Sequence, residues 1–326
     1  MHYESGITSF DQRVKRRWLS RLLTACILIL ALLWVGLPVL RAFTLVRTGI
    51  HGGVPASPPG LPVRSIHVTA SDGVPLEGWF VPASKRSATV ILVAGYKSSR
   101  ESMVPYARFL HAAGYNVLLY DSRGTGQSGG SFSLGAREVD DVRGAVAYLN
   151  RRGDLLIHRY GLLGVSLGAG VVIVAAAHIP PVRATVADSA YTDQSATVNR
   201  LDSLDVGPIA IPLAPDGPWV VDQLLGVRLA QFSPLKVVRR IAPRGLLLIH
   251  SRHDGNPTTP LSGAQTLYRH AGTGASLWIA PRGGHAKALS AQPIEYARRV
   301  VRFFRRYLVD DRNGNRPQRR RSKKGR

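Results

Sequence analysis

The chain has 326 residues, a formal net charge of +23 and a single cysteine. That cysteine, Cys26, leaves no intrachain disulfide and no cysteine metal cluster to be formed. The positive charge is concentrated at the two ends and no recognition module accompanies it, which disfavours a specific nucleic-acid-binding function.

Residues 1–21 are a basic segment with Arg13, Lys15, Arg16, Arg17 and Arg21. Leu22 to Leu40 carries no charge, and 19 such residues make about 30 Å of helix, so one transmembrane helix is predicted over residues 22–40. Only Arg41 and Arg47 follow closely on the other side. The imbalance predicts a single-pass protein with its N-terminus in the cytoplasm and the remainder on the extracytoplasmic side. Leu40-Arg41-Ala42 is a poor signal-cleavage site. Leu23-Thr24-Ala25-Cys26 resembles a lipoprotein box, but most of the apolar run follows Cys26 instead of preceding it. Residues 41–62, rich in proline and glycine from residue 48 on, read as a semi-extended linker.

Residues 63–311 then alternate. Strands are predicted near 63–69, 78–82, 88–94, 116–121, 160–165, 184–188, 245–251 and 276–280. Helices are predicted near 103–113, 137–151, 167–178, 261–271 and 293–308. The pattern is that of a mainly parallel, doubly wound sheet of eight strands. Residues 190–233 interrupt it with four X-Pro pairs and apolar residues such as Trp219 and Leu224. They read as a lid-like insertion, or as a packed connection. Residues 312–326 hold eight Arg or Lys and no acid. They read as a disordered basic tail with weak attraction to anionic lipid or polymer.

The most informative stretch is Gly164-Val165-Ser166-Leu167-Gly168. It joins a predicted strand to a predicted helix, the setting of a nucleophile elbow, in which a strained serine stands above the sheet between glycines. A serine hydroxyl is a weak nucleophile and needs a base oriented by an acid. Asp254 follows the predicted strand ending at Ser251, and His285 follows the one ending at Ala280, so the order is Ser, Asp, His. Asp188, at the end of another strand, is the alternative acid. Gly124 to Gly129 matches Gly-x-Gly-x-x-Gly, but no helix opens on it, so it reads as a structural turn. His250 and His253 flank Asp254 without further ligands nearby, so no metal and no cofactor is expected.

With Val93-Ala94-Gly95-Tyr96, Ser98-Ser99-Arg100-Glu101 and Asp121 to Ser128, these motifs resemble the α/β-hydrolase superfamily over roughly residues 63–308. The similarity is to its serine aminopeptidase-like and lysophospholipase-like branch. The resemblance implies Ser166 as nucleophile, His285 as base and Asp254 as orienting acid, with the backbone N–H groups of Tyr96 and Leu167 as the oxyanion hole. Where the family has His-Gly after its third strand, this chain has Ala94-Gly95.

The expected function is a membrane-anchored serine hydrolase that cleaves carboxylic esters through an acyl-enzyme. A peptidase of the same fold, or a catalytically silent binding protein, stands as the alternative. The expected partners are a small ester or amide substrate and the membrane, through residues 22–40.

Overall fold

In the computed structural model, residues 5–47, 57–201, 203–206, 209–212 and 217–309 are described. The strands are β1 (Arg64–Thr69), β2 (Pro75–Val81), β3 (Thr89–Val93), β4 (Asn116–Tyr120), β5 (Tyr160–Val165), β6 (Val182–Asp188), β9 (Gly245–Ser251) and β10 (Ala275–Ala280). They form one sheet in the order β1-β2-β4-β3-β5-β6-β9-β10. The two pairings made by β2 are antiparallel and the other five are parallel. All eight strands lie where the sequence predicts them.

Central strands of this kind are buried on both faces, which is why they read as unbroken apolar runs. Alternation of side chains divides them between two cores. In β9, Leu246 and Leu248 join the layer formed with helices α3 (Glu138–Asn150), α4 (Leu167–His178) and α8 (Leu261–Ala271). Leu247 and Ile249 join the opposite layer, with α2 (Val104–Ala112) and α10 (Pro293–Phe304). Helix α4 is apolar all round because it is enclosed, with every residue from Leu167 to Ala176 buried. At its C-terminal end, α10 passes into a π-helical turn over Arg305–Val309, so the regular helix stops short of the predicted 308.

Two regions differ from expectation. Helix α1 runs from Ser5 to Arg47, beyond the predicted 22–40 at both ends. Residues 5–21, read as a basic segment, and residues 41–47, read as linker, are helical. Arg, Leu and Ala are strong helix formers, and Ala42 is fixed by packing. The part of α1 long and apolar enough to cross a membrane is Lys15–Trp34, shifted towards the N-terminus. By length and composition it suits a membrane anchor or a signal sequence.

The second region is the insertion. It contains α5 (Gln194–Leu201), a two-stranded ribbon of β7 (Ser203–Val206) and β8 (Ile209–Pro212), and α6 (Gly217–Leu225), before a short α7 (Pro234–Val237). Val198, Val221 and Leu229 turn inward onto a third apolar cluster. Its X-Pro pairs conceal this structure from a sequence reading. The linker from 48 to 56 and the tail from 312 to 326 lie outside the described residues.

Candidate active site

Strand β3 has β4 on one side and β5 on the other. The chain leaves the sheet in opposite directions at their C-terminal ends, and the resulting crevice is where open α/β sheets bind ligands. Val93 of β3 is in register with Gly164 of β5, so the 94–97 loop starts beside the serine elbow.

Ser166 is held at φ 54° and ψ −116°, a left-handed conformation that costs strain in a residue with a Cβ. Its N–H donates to the Asp188 carbonyl at 2.8 Å, which ties the elbow to β6. The turn is too crowded for other residues at its flanks. A Cβ on Gly164 would collide with the Gly168 backbone, and one on Gly168 with the carbonyls of Val93 and Ala94. The elbow therefore stores its strain against packed backbone.

The structure brings the three expected side chains together. Ser166 Oγ lies 2.8 Å from His285 Nε2. On the far side of the ring, His285 Nδ1 lies 2.9 Å from Asp254 Oδ2. Asp254 is fully enclosed, whereas His285 keeps an edge open to solvent. Burial by itself would raise the Asp254 pKa. The hydrogen bonds from His285 and from the Asn256 N–H, with the nearby imidazoles, outweigh it and hold the carboxyl below its ordinary value. An ionised carboxylate fixes Nδ1 as the protonated nitrogen and leaves Nε2 free to accept the serine proton.

Asp188, the alternative acid, makes no hydrogen bond to the imidazole. It accepts from Tyr296 Oη at 3.0 Å and from Ser189 Oγ at 3.0 Å, and burial pushes its pKa up to about 6. His250 is enclosed beneath Asp254, with Nε2 at 3.5 Å from Oδ2, and desolvation lowers its pKa.

Leu167 opens α4, and amides in a first helical turn have no carbonyl behind them within the helix. The loop carrying Tyr96 is fixed from below by Asp121, whose carboxylate accepts from the Arg100 N–H at 2.7 Å and the Gln127 N–H at 3.0 Å. This accounts for the Gly-x-Gly-x-x-Gly match, which is a structural turn around Asp121.

Three neighbours were not foreseen. Thr259 Oγ1 lies 3.1 Å from His285 Nδ1, Ser189 Oγ accepts from the Ala286 N–H at 3.2 Å, and Asp121 clamps Arg100. Asp121 and Arg100 stood in motifs already singled out. Thr259 and Ser189 carry no sequence signal, since loops separated by many residues bring them in.

Two cavities meet at Ser166. One, of about 210 Å³, is bounded by Leu134, Leu167, Tyr191 and Leu201 and is mostly apolar. The other, of about 420 Å³, passes Gly95, Met103, Tyr106 and His285. Among the described residues, no Asp or Glu lines either one. A carbonyl at their junction would sit between the hydroxyl, the imidazole and the α4 N-terminus.

Comparison with known proteins agrees with this fold. The family model for X-Pro dipeptidyl-peptidase (S15 family) matches residues 72–202. The uncharacterized protein YfhR of Salmonella typhimurium is 28% identical over 278 residues, spanning 82% of this chain and 89% of the relative. The uncharacterized protein YqkD of Bacillus subtilis is 28% identical over 244 residues, 73% and 77% of the two chains. Among solved structures, the Pyrococcus furiosus esterase Pf2001 superposes with a TM-score of 0.65 at 25% identity, covering 80% of this chain and all (100%) of its own. The α/β hydrolase GrgF from Penicillium sp. shares the fold at a TM-score of 0.62 and 21% identity, over 76% and 99% of the chains. With its eight-stranded sheet and a serine elbow at the switch point, this chain belongs to the α/β-hydrolase superfamily and is a serine hydrolase.

Proposed function

We propose that the protein is a membrane-anchored carboxylesterase working through an acyl-enzyme. Ser166 Oγ attacks the ester carbonyl while His285 Nε2 takes its proton. Asp254 stabilises the imidazolium. The N–H groups of Leu167 and Tyr96 receive the oxyanion. The tetrahedral species collapses, His285 returns the proton to the departing alcohol, and water repeats the sequence in reverse to free the acid. The carrying observation is the 2.8 Å contact between Ser166 Oγ and His285 Nε2, with Asp254 at the other ring nitrogen.

Preference for a neutral acyl group rests on the cavities beside Ser166. A peptidase that selects a free N-terminus needs an anion for the ammonium group, and the described cavity residues supply none. The match of residues 72–202 to the X-Pro dipeptidyl-peptidase model favours the second reading, a peptidase. Anchoring is supported by the exposed apolar side chains along α1, among them Leu22, Ile27, Leu30 and Leu33. The basic excess before Leu22 supports a cytoplasmic N-terminus.

Turnover by the purified full-length protein on a panel of acyl esters and aminoacyl amides tests the assignment. Ester turnover well above amide turnover is the expected result. Preferential release of amines from X-Pro amides would replace it with the peptidase.

A further inference from the structure

Helix α1 and the insertion are physically joined. The C-terminal part of α1 packs along α6, where Ala42 is only 2% exposed. Ala42 shares one apolar cluster with Val198 of α5 and Val221 of α6, and with Leu134, Leu167 and Tyr191 on the wall of the smaller cavity. Packed side chains thus run without a break from α1 to the residue after Ser166.

The outside of the same insertion carries large apolar side chains among polar ones, and Trp219 borders a groove with Asp222, Gln223 and Arg228. Helix α6 buries Val221 but leaves Trp219 63% and Leu224 45% exposed, and Ile209 of β8 is 64% exposed. Helix α5 packs against both α6 and β8, and carries Leu201 at the rim of the cavity. Free in water, large apolar side chains gathered on one small insertion are unfavourable. Their position explains them. The uncharged run of α1 continues past Trp34 to Leu40, and Ala42 lies two residues further on, about 3 Å along the helix axis, so its partner α6 sits at the level of the headgroups. A tryptophan is favoured at that depth, because its ring is apolar and its N–H is polar.

We propose that Trp219, Leu224 and Ile209 form a bilayer-docking surface, held against the membrane by α1, so that the cavity beside Ser166 receives acyl esters resident in the bilayer. This rests on the anchored-esterase reading above. The occupant is lipid because α6, which carries Trp219 and Leu224, packs on a helix whose apolar side chains remain exposed at Leu40 and Phe43.

The test uses the full-length chain in phosphatidylcholine–phosphatidylglycerol vesicles. With Cys26→Ser in place, Trp219→Cys is labelled with an environment-sensitive nitrobenzoxadiazole dye. The expected result is blue-shifted emission that is quenched by lipids carrying a nitroxide near the headgroup. Water-like emission overturns the proposal. So does a blue shift that lipid nitroxides leave unquenched, since that is the signature of a protein contact. In parallel, Trp219→Gln with Leu224→Gln is assayed on a long-chain ester in the vesicles and on a short-chain ester in solution. Loss of burial for two such side chains predicts a drop of about ten-fold or more on the vesicle ester alone. An unchanged ratio between the two substrates overturns the docking surface. A lipid-quenched dye on a protein that cleaves neither ester upholds the docking surface and overturns the esterase reading instead.

Discussion

The Ala286 N–H donates to Ser189 Oγ at 3.2 Å, and both residues hold a left-handed backbone, with φ of 55° and 61°. The bond joins the end of β6 to the loop that carries His285. Ser189 in turn donates to Asp188, and Asp188 accepts from Tyr296 of α10. The imidazole is thus positioned from two sides: Asp254 and Thr259 at its ring, and this buried chain at its backbone.

Ser189→Ala removes the acceptor for the Ala286 N–H and leaves the triad side chains intact. The expected loss is about ten-fold in kcat with little change in KM, because a loosened base affects the chemical step more than binding. Stability should fall by about 2 kcal/mol, the net worth of the two bonds the hydroxyl makes, to the Ala286 N–H and to Asp188. Steady-state kinetics with a denaturant titration checks both, and a wild-type kcat would remove Ser189 from the positioning of His285.

The two buried acids are separated by substitution. Asp254→Asn should lower turnover on the order of 10⁴-fold, since an amide stabilises the wrong tautomer and no imidazolium. Asp188→Asn should lower it far less, as Asp188 bonds to Tyr296 and Ser189 and not to the ring. The reverse ranking would exchange their roles.

Asp188 also sets a pH dependence of stability. Its pKa is raised from 3.8 to about 6 in the folded state. The folded protein therefore holds this proton more tightly than the unfolded chain. The stability it contributes is full below about pH 4 and is lost as pH rises towards 6. A shift of that size corresponds to roughly 3 kcal/mol at most, by the linkage between pKa and stability. Asp188→Asn cannot titrate, so the change in its denaturation midpoint between pH 4.5 and 7.5 should lack that component. Identical changes in wild type and variant would show that Asp188 titrates normally.

What the sequence made legible follows from where the physics is local. The strands were readable because both faces are buried, and the apolar run at Gly245–Ser251 is a direct result. Ser166, Asp254 and His285 were readable because each stands just past such a run. The insertion was not. The four-residue strands β7 and β8 are too short for periodicity to distinguish them from loop, and α6 is opened by Gly217-Pro218. The full extent of α1 was hidden because charge marks a membrane boundary but not the end of a helix. The contact of Ala42 with α6 comes from tertiary packing across the chain, which no local pattern carries.

The proposed membrane anchor predicts a topology. External protease on intact cells, or on protoplasts where a wall intervenes, should remove residues beyond the linker and spare a small membrane-embedded fragment containing Leu22–Leu40. Full protection of the domain until the membrane is lysed would place the hydrolase in the cytoplasm.

The central claim is that Ser166 is a nucleophile activated by His285. The most direct measurement is covalent labelling of the full-length protein with a fluorophosphonate, with the modified peptide identified by mass spectrometry. The account predicts one adduct, on Ser166, formed far more slowly in His285→Ala and absent from folded Ser166→Ala. Undiminished labelling of Ser166→Ala, or no labelling of the folded wild type, would contradict it.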